Sequence, residues 1–246
     1  MSFLEKISPF ERRDLLLAWF CLAVAFTLGI SGGLALVTEV GKISVDMLVL
    51  TFVVAVITVG LSFVLHELAH KFMAIRYGYW AEFRKNTQML LIAVVVAVVT
   101  GIVFAAPGAT LINTAGREMT KKENGVISLA GPLTNLILAV PFIVCLIAGV
   151  LLGGASISAF TVPGFLFYLG MVGFQVNAML AFFNMLPVGP LDGRKILRWN
   201  AVAFVALIAV SLLALYVSLQ PYMFVALLLG EVRNNTNFFY LSYRML

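Results

Sequence analysis

Five stretches of the sequence carry no charged side chain: 15–37, 47–65, 86–116, 124–191 and 199–230. Each reaches or exceeds the roughly 18 to 20 residues that cross a bilayer as helix. Apolar surface on this scale has no place in water. Composition agrees, since 62% of the 246 residues are hydrophobic, only 11% are charged and the mean hydropathy is +1.07, whereas an ordinary globular domain is about half apolar and a quarter charged. The predicted fold class is therefore an all-α polytopic membrane protein with five or six transmembrane helices. No hydrophilic segment is long enough for a second folded unit, so residues 1–246 read as a single membrane-embedded domain.

The first apolar run is too long for a cleaved signal peptide and lacks a small-residue cleavage site, which predicts a retained helix. Cys21 and Cys145 both fall within apolar runs and read as buried hydrophobes. The net charge of +5 does not point to nucleic acid, because no basic stripe is interleaved with aromatics. It sorts by loop instead. Thirteen of the 16 basic residues lie before the first run, after the second, before the fourth or between the fourth and fifth, and that side is predicted to be cytoplasmic.

By this count both flanks of 86–116 are cytoplasmic, which disfavours a single span there. Gly101, Pro107 and Gly108 interrupt its valine-rich run, and the segment reads as re-entrant or as a β-hairpin. Extended backbone at membrane depth must be paired or buried against protein, so the segment is expected to line the interior or a wet cavity. The 124–191 run, divided around 149–164, predicts two antiparallel helices. In the last run, Pro221 either kinks one long helix or separates a span from a short return.

The chain has two histidines, and both occur in His66-Glu67-Leu68-Ala69-His70. On a helix the i, i+4 spacing puts both imidazoles on one face, where two neutral nitrogens can bind one zinc ion, and Glu67 is placed to take a proton from water at the metal. A hydrogen-bonded polar patch where Lys71 and Arg76 reach the interface is the plainer reading. Against it, ionisable groups in a membrane segment cost at least a few kcal/mol each on insertion scales and mark functional sites by default. A catalytic zinc needs a third protein ligand and an open position. Asp192, at the cytoplasmic end of its helix behind Pro187 and Pro190, is the best-placed candidate. Glu39 and Asp46 fall on the opposite side, and Glu118 and Glu123 lie in a loop rich in basic residues. Asn135, in an otherwise apolar segment, needs a hydrogen-bond partner; helix packing alone would explain it.

Taken in order, HELAH at 66–70, GPLTN at 131–135 and NMLPVGPLDG at 184–193 resemble the site-2 protease family of intramembrane zinc metalloproteases, over roughly residues 47–198. The resemblance implies one Zn2+ per chain held by His66, His70 and Asp192, with Glu67 as catalytic base and with Asn135 and Asn184 supporting the substrate or the oxyanion. It also implies a transmembrane-helix protein in the lipid bilayer as substrate, cut in or near its transmembrane segment, and the charge count puts the active site toward the cytoplasmic side. Neither a PDZ nor a CBS module is visible. The extended part of 103–114 is expected to offer a strand edge to an unwound substrate. The competing reading is an ion or proton-coupled transporter using His66, Glu67, His70 and Asp192 as a relay, although no internal repeat accompanies it. Oligomeric state and substrate identity are not encoded in any motif.

Overall fold

The computed structural model describes residues 7–34, 44–101, 103, 107–153, 158–221 and 223–224. Among them are seven helices and one two-stranded sheet. Helix α1 (Pro9–Ile30) begins at Ser8, whose side chain accepts a hydrogen bond from the Glu11 amide. Helix α2 (Val45–Arg76) is more than long enough to cross a membrane, and its middle is a π-helical turn at Gly60–Val64. Such turns displace the residues that follow them and recur at functional sites. Here HELAH follows directly. The ring of Trp19 covers Gly60, and its indole N–H donates to the Val56 carbonyl at 2.8 Å, fastening α1 to α2 beside this turn.

The third apolar run behaves as its charge flanks require. It forms α3 (Thr87–Thr100), capped by Asn86 and ended by Gly101 in the left-handed region, and then strand β2 (Gly108–Asn113). At 14 residues α3 is too short to span, and β2 brings the chain back to the side it came from. The strand pairs antiparallel with β1 (Trp80–Lys85), Trp80 opposite Asn113 and Lys85 opposite Gly108. The extended backbone is thus paired along one edge. The sequence reading had anticipated the return but not β1 as its partner.

Helix α4 (Lys121–Leu151) opens with a capping box, in which Thr120 and Glu123 exchange hydrogen bonds, so that it starts before the uncharged run that begins at 124. It packs antiparallel against α5 (Val162–Asn184). A Cβ at Gly149, Gly170 or Gly173 would run into the facing helix, so small residues set the close approach. A proline-containing turn leads to α6 (Asp192–Trp199). Asn200 then caps α7 (Ala201–Ser218), with its side chain accepting from the Ala203 amide. Helix α7 ends before Pro221, which starts a separate turn; residues beyond 224 lie outside the described part.

Five helices, α1, α2, α4, α5 and α7, are long and apolar enough to cross a membrane. Their alternation, with α3 and β2 entering and returning, puts the start of α1, the end of α2, the start of α4 and the end of α5 at one level.

Candidate active site

At that level the last three turns of α2 carry His66, Glu67 and His70, all buried. Both imidazoles lie against Gly131 of α4. A Cβ there would stand 2.6 Å from His66 Nε2 and closer still to His70, so no larger residue leaves room for the pair. Asp192 arrives from the turn after α5, where Gly189 takes a φ of 54°. Its Oδ2 lies 3.1 Å from His70 Nε2 and 3.8 Å from His66 Nε2, and the two nitrogens are 3.1 Å apart.

Counting hydrogens shows what this cluster requires. His70 Nδ1 meets the Ile127 carbonyl at 2.8 Å, and His66 Nδ1 meets Asn135 Oδ1 at 2.5 Å. Both partners can only accept, so both Nδ1 atoms carry hydrogen, and in a neutral ring each Nε2 is then a lone pair. Two nitrogen lone pairs and a carboxylate oxygen face one another with no hydrogen among them. Such an arrangement repels itself unless a cation lies between. Tetrahedral zinc about 2.0–2.1 Å from each ligand would space them about 3.3 Å apart, close to the three distances observed. The donor set fits the metal. Burial alone would raise the Asp192 carboxyl, but the Lys195 ammonium 3.4 Å from Oδ1 favours the charged form, so the third member of the cluster is an acceptor as well.

Glu67 lies beside the cluster, and its Oε2 accepts a hydrogen bond from Thr110 Oγ1 of β2 at 2.9 Å. Both residues line a cavity of about 140 Å³ shared with His66, His70, Asp192, Lys195, Asn184 and Ser128. Asn184 thus sits in the cavity wall, with its amide N–H donating to the Leu180 carbonyl. Asn135 does not line the cavity. It is fully buried behind His66 and spends its amide on His66, the Ser62 carbonyl and Asn177.

Three contributors escaped the sequence reading. Thr110 and Lys195 are ordinary polar residues until the fold brings them to the cavity. Asn177 carried the same signal as Asn135, an amide in an apolar helix, and could have been found by it. Lys71, which the rejected polar-patch alternative would take to the interface, is buried and ion-paired with Glu11 of α1.

Two histidines from an HExxH helix and an aspartate from a separate helix, buried together among helices apolar enough to cross a membrane, form the kind of metal site that zinc metalloproteases use. The family model described as Peptidase family M50 matches residues 54–161. Three curated relatives carry the name "Putative zinc metalloprotease". MJ0611 of Methanocaldococcus jannaschii is 40% identical over 152 residues, 62% of this chain and 73% of the relative. YwhC of Bacillus subtilis is 30% identical over 58% of this chain and 67% of its own length, and Rip2 of Mycolicibacterium smegmatis is 33% identical over 54% and 51%. No solved structure matches. The chain belongs to peptidase family M50, the site-2 protease family. The family match contains His66, Glu67, His70 and Asn135 but ends before Asp192, whose place in the cluster rests on geometry.

Proposed function

We propose that this zinc metalloprotease hydrolyses a peptide bond in or beside the transmembrane helix of a membrane-protein substrate. In this reading His66, His70 and Asp192 hold the metal and Glu67 is the general base. The observation that carries it is the three-acceptor cluster at the end of a membrane-spanning helix, with the Glu67 carboxylate on the same small cavity. Zinc, when bound there, supplies an electrophile that polarises a carbonyl and makes water acidic near neutral pH. Glu67 takes the proton and returns it to the leaving amine. Thr110 keeps the carboxylate turned into the cavity while this happens.

A transmembrane helix shields its carbonyls and must unwind to be cut, and its freed backbone groups need partners in lipid. Among the described residues β2 is paired on one edge only. Gly108, Thr110 and Ile112 of this strand line the cavity, which supports substrate pairing along the other edge, with Asn184 across from it. The side carrying 13 of 16 basic residues reads as cytoplasmic, which supports a cavity that opens toward the cytoplasm. The whole chain acts as one membrane-embedded protease domain, with its catalytic core over about 47–198. Family membership disfavours the transporter alternative, which predicts counterflow in liposomes without cleavage.

The deciding experiment uses a tagged single-span membrane protein as substrate. Glu67→Gln should retain zinc and lose nearly all turnover, and substantial remaining activity would remove Glu67 as the base. Ile112→Pro should reduce cleavage of a helical substrate with zinc retained, whereas unchanged cleavage would sink the strand-pairing step.

A further inference from the structure

Two amides stand behind His66 on separate helices, Asn135 on α4 and Asn177 on α5, and both are fully buried. Their orientation follows from their neighbours. Asn177 Nδ2 lies 2.8 Å from the Gly173 carbonyl, and Asn135 Nδ2 lies 3.1 Å from the Ser62 carbonyl. A peptide carbonyl can only accept, so the atoms facing them must be the amide nitrogens. Asn177 Oδ1 is then free to accept from Asn135 Nδ2, at 3.1 Å, and Asn135 Oδ1 is the atom left to accept from His66 Nδ1. Two backbone carbonyls thus fix the direction of four hydrogen bonds across α5, α4 and α2. One of those carbonyls belongs to the π-helical turn that precedes HELAH.

We propose that Asn177 is a positioning residue for the metal centre, acting through Asn135. Ser62 and Asn177 together accept both N–H groups of Asn135, so its amide is held against rotation and always presents oxygen to His66. A rotated Asn135 would offer N–H instead. The imidazole would then turn a lone pair toward Asn135 and carry its hydrogen on Nε2, where a cation must bind. Helix packing alone would need no such polarity, because either amide orientation fills the same space. The inference rests on the reading of His66 as a metal ligand.

The test measures zinc affinity of the detergent-purified full chain by chelator competition, together with the visible absorption of the cobalt-loaded protein. Asn177→Ser is the mild variant. A helical serine bonds back to the carbonyl four residues earlier, here Gly173, and leaves Asn135 without its acceptor while the fold persists. Outer partners of ligating histidines affect metal affinity by about 10- to 100-fold. Asn177→Ser should weaken zinc about tenfold and alter the cobalt spectrum, and Asn135→Leu should weaken it further. Adding Asn177→Ser to Asn135→Leu should change nothing more, because the two act in series. Wild-type affinity in Asn177→Ser, or losses that multiply in the double variant, would overturn the proposal. So would a lowered melting temperature of the metal-free protein with affinity and spectrum unchanged, the mark of a purely structural role. If Asn135→Leu does not fold, the affinity and spectrum of Asn177→Ser decide alone. His66→Ala separates the two readings: retention of zinc there sinks the ligand assignment, whereas loss there with none in Asn177→Ser sinks only the role of Asn177.

Discussion

Thr110 donates its hydroxyl to Glu67 Oε2 over 2.9 Å, tying strand β2 to the carboxylate beside the metal cluster. The strand that lines the cavity and the residue assigned to move protons are therefore one mechanical unit. A carboxylate released from this bond is free to rotate away from the cavity. Hydrogen bonds to charged groups contribute about 1.5–3 kcal/mol, so Thr110→Val should lower turnover by roughly tenfold or more with zinc content unchanged. Thr110→Ser should recover most of it. Full activity in Thr110→Val would mean that Glu67 is held by other contacts.

Gly131 makes a sharper prediction. The space a Cβ would take is already filled by both imidazoles, and a buried helix cannot retreat without disturbing α5. Gly131→Ala should force the histidines apart and cost at least tenfold in zinc affinity, on the scale of lost outer partners. Elemental analysis of purified protein reads this directly. Gly78→Ala is the control, since a Cβ there meets nothing; any strain from its φ of 82° falls in a turn away from the metal.

What the sequence discloses, and what it withholds, follows from how each residue is recognised. His66, Glu67, His70 and Asp192 could be singled out as candidates because they stand where apolar runs end and each has a definite chemistry, and the fold brings His66, His70 and Asp192 together. The return of 86–116 was legible because basic residues flank both of its ends. Strand β1 was not, because Trp80–Lys85 is a mixed polar stretch whose extension depends on pairing with β2, 23 positions on from Lys85 at Gly108. Asn135 could be flagged from its setting, but whether it faces the cavity or His66 depends on rotation of α4 and on Asn177. Thr110 and Lys195 carry no local signal. Their roles exist only as distances.

Lys71, buried on the catalytic helix directly after His70, links α1 to the site. Its ammonium pairs with Glu11, which also accepts the Phe83 amide of β1 at 3.1 Å. Removing one partner of a buried pair leaves an uncompensated charge and costs about 3–5 kcal/mol. Lys71→Met alone should therefore melt well below wild type. Lys71→Met with Glu11→Gln, which keeps an acceptor for Phe83, should regain most of the loss. If the double variant is no more stable than Lys71→Met, the pair does not hold α1 in place.

Asp192 divides its oxygens, with Oδ2 toward the imidazoles and Oδ1 toward Lys195 Nζ at 3.4 Å. A carboxylate engaged in this way offers a metal one oxygen and leaves a coordination position for water, the arrangement hydrolytic zinc sites need. Lys195 also lines the cavity, so its loss should be felt at the reacting centre more than in the fold. Lys195→Met should keep one metal per chain while Oδ1 turns inward to make a second bond. In cobalt-loaded protein this would weaken the visible absorption, as expected for a change from four to five ligands, and turnover should fall in parallel. An unchanged cobalt spectrum with reduced turnover would place Lys195 on the substrate rather than on Asp192. An unchanged spectrum with unchanged turnover would make it a solvated charge at the cavity mouth.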